Sequence, residues 1–417
     1  MLKPDIIKTL NIEPKENSMK FKELGLHPSI LKAVEDSGFV SPTPVQKQAI
    51  PQVLNGCDLL ASAQTGTGKT ASFILPALHR LTVSPKPKGR GPRILILVPT
   101  RELAIQVAAE SVKYSKHLAH LKTLCIFGGI PYPIQKKQLA KPFDILVATP
   151  GRLLDHLQAG RINFKSLEMF VLDEADRLLD MGFIEDVEKI AGFFPHRCQT
   201  LLFSATLKES VLNLSGHLLQ DPKKIQVEPE FTKHQNIEQR LHNVDDLNHK
   251  VRLLIHLLEE ESLQQTIVFT STKMYADKLT ETLQQRGHLA ASLHGDIQQH
   301  KRTKTIMKMR QGKIRILVAT DVAARGIDIH SVGHVINFDL PRCTEDYVHR
   351  IGRTGRANAT GVAISFASAK DAILVQRIEK YTGHKITPFT ILGMEAKKKK
   401  KASRKPQKLR LKKTSRR

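Results

Sequence analysis

The chain has 417 residues, and 65 Lys and Arg against 40 Asp and Glu give it a formal charge of +25. That length suits two domains better than one, while 41% hydrophobic and 25% charged residues exclude wholesale disorder or a collagen repeat. So large a basic surplus points to a polyanionic partner, with nucleic acid ahead of a membrane surface.

In chain order, residues 1–20 lack an apolar h-region and include Asp5, Glu13 and Glu16. This argues against a secretory or transit peptide and makes the cytoplasm the expected compartment. No segment approaches the roughly 18 uninterrupted apolar residues of a membrane span, so no membrane association is expected. Cys57, Cys125, Cys198 and Cys343 form no CxxC pair and are expected to be small core residues in a reducing compartment.

From residue 56 onward, short apolar runs alternate with helix-compatible segments: 58–63, 93–100, 123–127, 144–149, 169–174, 199–206 and 223–227. Strands this apolar suit a parallel sheet covered on both faces, and the βαβ rhythm is that of a doubly wound α/β domain. A proline- and glycine-rich basic loop is expected at 83–92. The polar stretch 228–236 reads as an interdomain linker. The rhythm then resumes with runs at 264–270, 288–294, 313–320, 333–339 and 361–367. The expected organisation is an extension at 1–20, a first α/β domain at 21–227, the short linker, a second α/β domain at 237–390 and a basic tail at 391–417. Nine Lys and four Arg within 397–417, with no acid, supply more than half of the net charge. Such a tail cannot bury apolar surface and is expected to stay disordered until it meets an anion.

The sharpest local pattern is ASAQTGTGKTASF at 61–73, after an apolar strand and before a helical pattern. Gly66 and Gly68 free backbone N–H groups to cradle phosphates, Lys69 reaches the terminal phosphates, and Thr70 can hold Mg²⁺. Ala63 stands where the common form of this loop has glycine. In VLDEADRLLD (171–180) a strand delivers Asp173 to a Mg²⁺ shell and Glu174 to the attacking water. HRIGRTGR (349–356) spaces Arg350, Arg353 and Arg356 three apart, as planar charged forks for a pyrophosphate.

These residues resemble the DEAD-box ATP-dependent RNA helicases of superfamily 2, bacterial-type, over Phe21 to about residue 385. The family's motifs occur in order: Phe21 with GFVSPTPVQ (38–46), AQTGTGKT (63–70), PTREL (99–103), GG (128–129), TPGR (149–152), DEAD (173–176), SAT (204–206), IVFT (267–270), HGD (294–296) with Gln299 and Arg302, TDVAARGID (320–328) and HRIGRTGR. The resemblance implies two tandem RecA-like domains and an RNA-stimulated ATPase that opens duplexes locally. It assigns ATP binding to Phe21, Phe39, Gln46, Ala63, Thr65, Gly66, Thr67, Gly68, Lys69, Thr70, Gly326 and Asp328, with Gln46 reading the adenine edge. Catalysis falls to Lys69, Asp173, Glu174, Arg353 and Arg356, and metal binding to Thr70 and Asp173, partly through water. Coupling of nucleotide to RNA falls to Asp176, Ser204, Thr206, His349 and Arg350.

For RNA, it implicates Thr100, Arg101, Gly129, Thr149 and Arg152 in the first domain, and Thr270, Gly295, Arg302 and Thr320 in the second. Small hydroxyls, backbone amides and arginines suit phosphate and 2′-OH contacts, and with no Trp and few aromatics the expected binding is sequence-independent. The expected ligands are ATP and Mg²⁺. The expected partners are RNA, with the tail as a nonspecific tether, and ribosomal precursor particles or RNA-decay proteins, the chain itself acting as a monomer. Two rival activities share these motifs: an ATP-gated RNA clamp and a DNA-acting helicase.

Overall fold

The computed structural model describes residues 19–63, 66–85, 91–227, 236–259, 265–324, 332–355 and 360–397. The chain forms two compact units and contains two seven-stranded sheets.

The strands of the first sheet are Leu59–Ser62 (β1), Ile94–Leu97 (β2), Thr123–Ile126 (β3), Ile145–Ala148 (β4), Met169–Leu172 (β5), Gln199–Ser204 (β6) and Lys223–Gln226 (β7). They pair in parallel in the order β3-β4-β2-β5-β6-β1-β7. Successive side chains in a strand face opposite sides, and here both sides are apolar. Leu59, Ile94, Ile96, Val147, Val171 and Phe203 join one core, while Leu60, Leu95, Leu97, Leu146, Leu172 and Leu202 join the other. Helices such as Lys69–Val83 and Arg101–Tyr114 cover the first face, and Pro150–Gln158 and Ile184–Ala191 the second. All seven strands coincide with the apolar runs read from the sequence.

The second sheet comprises Ile237–Asn243 (β8), Thr266–Phe269 (β9), Ala290–Leu293 (β10), Ile316–Ala319 (β11), His334–Asn337 (β12), Gly361–Ala367 (β13) and Thr387–Pro388 (β14). Their order is β10-β11-β9-β12-β13-β8-β14, and β9, β12, β13, β8 and β14 pair in parallel. Five of these strands coincide with apolar runs of the sequence, whereas β8 and β14 do not. The segment IEQRLHN of β8 buries only Ile237, Leu241 and His242, because its outer neighbour is the two-residue β14. A half-covered strand of that kind lacks the continuous apolar run that marks β9 and β11.

The expected linker at 228–236 lies outside the described residues except for Asn236. The basic tail expected from 391 begins later: Ile391 and Met394 pack against the second core, His249 Nε2 lies 3.0 Å from the Met394 carbonyl, and the Lys397 amide donates to Asp245. The packed chain therefore continues to Lys397, and residues 398–417 lie outside the described set. The four cysteines are free thiols, of which only Cys198 is fully buried. Among the described residues no helix is long and apolar enough to cross a membrane, and no cluster of metal-ligating side chains occurs.

Candidate ATP and RNA sites

In open parallel sheets, ligands sit outside the carboxyl ends of the strands. Each first-domain motif after the opening one begins at such an end. The phosphate loop follows β1, PTREL follows β2, GG follows β3, TPGR follows β4, DEAD follows β5, and SAT closes β6. Sheet order then sorts them: β3, β4 and β2 carry the residues expected to meet RNA, and β5, β6 and β1 those expected to meet ATP. The second sheet repeats the division, with Thr270, Gly295 and Thr320 beyond β9, β10 and β11, and the arginine motif beyond β12.

At the end of β1, Gly66 and Gly68 adopt φ of 82° and 90°, a left-handed conformation that glycine adopts without a Cβ penalty. A Cβ on Gly68 would also strike the Gln46 side chain. Lys69 opens the following helix and is 6% exposed, yet its Nζ has no hydrogen-bond partner among the described residues. A buried, unpaired ammonium under a glycine turn and a helix N-terminus is the arrangement a phosphate completes. Thr67 and Thr70 are half-buried at the same turn, and Ala63 is buried, its amide bonded to the Ser204 carbonyl at 3.0 Å.

Gln46 is tied into this loop. Its Oε1 accepts from the Thr43 amide at 2.9 Å and its Nε2 donates to the Gly68 carbonyl at 3.1 Å. The side chain expected to read adenine thus also holds the phosphate loop. Phe21 is a core residue at 6% exposure. Phe39 is exposed, with its ring 6.5 Å from that of Tyr114 and the Lys113 ammonium 5.0 Å from its centroid.

Asp173, at the end of β5, is 3% exposed. Burial pushes its carboxyl up to about 6, against the opposing pull of Lys69; Oδ1 accepts from the Glu174 amide at 2.9 Å. A divalent cation would offset the desolvation of this carboxylate, so the site's donors fit the expected Mg²⁺. Glu174 sits at φ 52°, ψ 50°, strained for a residue with a side chain. Its Oε2 lies 3.2 Å from Arg177 Nη1, and both side chains are buried.

Asp176 joins this strand end to β6. Its Oδ2 accepts from both the amide and the hydroxyl of Thr206 at 3.1 Å, its own amide donates to Ser204 Oγ at 3.3 Å, and Ser204 Oγ donates to the Thr206 carbonyl at 2.7 Å. The three expected coupling residues of the first domain therefore form one hydrogen-bonded unit.

On the other half of the sheet, Thr100 caps the helix Arg101–Tyr114 by accepting from the Leu103 amide at 3.3 Å. The Arg101 guanidinium lies against the two glycines, where a Cβ on Gly129 would meet Nη1 at 2.6 Å, and Gly129 itself is exposed at φ 90°. Thr149 is buried at the start of the helix Pro150–Gln158. Arg152 donates through Nη1 to the Ile130 carbonyl and to Gln135 Oε1, both at 2.7 Å.

In the second sheet, Thr270 is buried, Gly295 exposed and Thr320 half-buried. Arg302 is buried, with Nη1 3.2 Å from the His294 carbonyl and Nη2 3.4 Å from that of Ala323. Arg350 is 2% exposed and donates through Nη1 to Asn337 Oδ1 at 3.1 Å and to the Asp339 carbonyl at 2.5 Å, its guanidinium 4.9 Å from the Phe269 ring centroid. Arg353 is buried and His349 half-buried on the same motif. Thr65, Gly326, Asp328 and Arg356 lie outside the described residues.

Four supporting side chains went unread in the sequence. Arg177 and Asn337 each follow or end a motif strand, where polar residues after an apolar run could have marked them. Gln135 and His156, buried between the GG and TPGR segments, give no sequence signal of their own.

Residues 43–214 match the DEAD/DEAH box helicase family and residues 249–358 the helicase conserved C-terminal domain. The chain is 44% identical over 380 residues to the ATP-dependent RNA helicase SrmB of Haemophilus influenzae, covering 91% of this chain and 86% of that protein. It is 45% identical over 382 residues to the ATP-dependent RNA helicase RhlB of Pseudomonas syringae, covering 90% and 96%. Among solved structures, S. cerevisiae Dbp5 bound to RNA and ADP BeF3 is similar at a TM-score of 0.79 and 32% identity, over 89% of this chain and 95% of that one. Two matched domains, relatives aligned along nearly their whole length and an unbroken series of motifs at the strand ends place this chain in the family of DEAD-box ATP-dependent RNA helicases.

Proposed function

We propose that the β1-β5-β6 half of the first sheet binds ATP with Mg²⁺, that the β2-β3-β4 half and β9-β10-β11 grip an RNA backbone, and that the Asp176–Ser204–Thr206 unit links the two responses. The observation that carries the nucleotide assignment is the buried, unpartnered Lys69 ammonium beneath the Gly66–Gly68 turn. ATP phosphates would give Lys69 its missing partner and accept backbone N–H groups of the loop.

Mg²⁺ held by Asp173 and Thr70 would supply charge neutralisation at the phosphates. Glu174, fixed by its strained backbone and by Arg177, is aimed to orient water for hydrolysis. Arg353 and Arg356 of the second domain are assigned charge stabilisation of the transition state. Gln46 reads the adenine edge, and because it also bonds the Gly68 carbonyl, base recognition and loop geometry are tied together.

The RNA assignment rests on small hydroxyls, glycine amides and arginines gathered at adjoining strand ends, with no aromatic platform among them, which favours backbone over base contacts. The assigned substrate is structured RNA in ribosomal precursors or in RNA turnover, the chain acting as a monomer in the cytoplasm.

Measurement of ATP turnover with and without RNA, with DNA of equal length as a control, tests the activity. RNA stimulation without DNA stimulation is expected, and the absence of any RNA response would refute the reading. Strand separation of a short duplex distinguishes a helicase from an ATP-gated clamp.

A further inference from the structure

The helix Tyr132–Leu139 buries a single residue, and that residue is a glutamine. Gln135 is 0% exposed, and its amide bonds the turn after β3 on one side and the helix Pro150–Gln158 on the other. Its Nε2 donates to the Phe127 carbonyl at 2.9 Å, immediately before Gly128-Gly129, while its Oε1 accepts from Arg152 Nη1 at 2.7 Å and pairs with His156 Nε2 at 3.0 Å.

The proton positions follow from the partners. Arg161 Nη1 lies 3.3 Å from His156 Nδ1, and since a guanidinium only donates, Nδ1 accepts and Nε2 carries the proton. Burial beside Arg161 and Arg152 lowers the His156 pKa, consistent with a neutral ring. Gln135 Oε1 thus accepts twice and its amide orientation is fixed. Arg152 is held on its remaining sides by the Ile130 carbonyl, just after the two glycines, and by the Tyr132 ring at 4.2 Å from its centroid. Tyr132 in turn donates to Asp155 at 2.6 Å.

We propose that Gln135 is a positioning residue for RNA binding, locking the Gly128-Gly129 turn and the Arg152 helix into one geometry so that a backbone meets preset amides and hydroxyls. A glutamine buried only to fill space would be replaceable by an apolar side chain. Gln135 instead joins the two RNA-facing segments, adding to the bonds from the Thr149 amide to the Ile126 carbonyl and from Arg152 to the Ile130 carbonyl. Pre-organisation of this kind raises affinity by removing ordering that binding would otherwise require.

The inference rests on the RNA reading above, and the test separates the two. In the full chain, Gln135→Met keeps volume and removes all three hydrogen bonds. The RNA concentration for half-maximal ATPase stimulation is expected to rise about tenfold, with RNA-free turnover and RNA-saturated kcat within about twofold of the parent; a tenfold change corresponds to about 1.4 kcal/mol. Gln135→Glu keeps the acceptor for Arg152 and His156 and loses the donor to Phe127, so a smaller rise, about threefold, is expected. That variant carries the test if the first fails to fold.

An unchanged RNA requirement in a folded variant overturns the proposal, as does a parallel loss of RNA-free turnover, which would mean a general structural role. A parent chain whose ATPase ignores RNA would instead overturn the RNA reading itself.

Discussion

Among the described residues Lys69 Nζ has no hydrogen-bond partner, its opposing charge being the buried Asp173 carboxylate, and that makes its two contributions separable. A buried ammonium without a partner destabilises the ligand-free fold, so Lys69→Ala is expected to leave Tm unchanged or raised while reducing ATP turnover about 10²–10³-fold, the scale of losing one preorganised charge. A fall in Tm alongside activity would show that Lys69 has a structural partner. Asp173 and His242 make a second pair, with opposite signs in one pH window. Asp173 is raised by burial from 3.8 to about 6, so the folded chain binds its proton more tightly than the unfolded one. Its contribution to stability is present below about pH 4 and is lost as pH rises through 6. His242, buried against Phe366 and Phe389, is lowered from 6.5 to about 4 by desolvation and by Arg240. Its folded form resists protonation, so stability present above pH 6.5 is lost as pH falls toward 4. Thermal denaturation between pH 4 and 7.5 should therefore show Asp173→Asn gaining most stability at neutral pH and His242→Phe gaining most near pH 4. Coincident profiles for the two variants would contradict both assignments.

At the scale of elements, the strand ends decide what backbone is allowed. Gly68 combines φ 90° with a Cβ position already taken by Gln46, so Gly68→Ala should raise the ATP concentration for half-maximal turnover about tenfold or more and lower Tm, since strain of this sort costs about 1–3 kcal/mol. Gly216 is the control: it lies in the helix Glu209–Leu218 at an ordinary φ with open space around it, and Gly216→Ala should stabilise by about 0.5–1 kcal/mol. Equal effects at the two positions would remove the geometric argument. The same contrast explains what the sequence could disclose. Strands β1, β2, β4, β5 and β6 announce themselves because both their faces are buried, and the glycines and acids after them are legible because few other residues tolerate those turns. β8 escapes notice because β14 covers it so briefly, and Gln135 escapes because a glutamine among lysines in QKKQ reads as solvated until the fold turns it inward. Local chemistry is written in the motifs, whereas the partners that hold each motif in place come from distant segments and exist only after folding.

At the scale of the molecule, the proposed RNA reading assigns parts of the charge different duties. Residues 397–417 hold nine Lys and four Arg, and the described chain ends at Lys397 with its amide bonded to Asp245 at the start of the helix Leu247–Glu259. A polycation attached at a fixed point raises the local concentration of RNA without contributing to the geometry of either site. Binding through it should follow counterion release, at a slope of roughly −0.7 in log affinity against log salt for each single-strand phosphate contact. Removing residues 398–417 is therefore expected to weaken RNA binding most at low salt and to flatten the slope, while RNA-saturated kcat and duplex separation per bound complex stay as they were. Affinity titrations from 50 to 200 mM salt, roughly the range over which such contacts are titrated, make the comparison. If the truncated chain keeps both its affinity and its slope, the tail makes no RNA contact and the whole electrostatic grip belongs to arginines and amides at the strand ends. If instead kcat falls at saturating RNA, the tail takes part in the catalytic cycle, and the division between a holding segment and a working core fails.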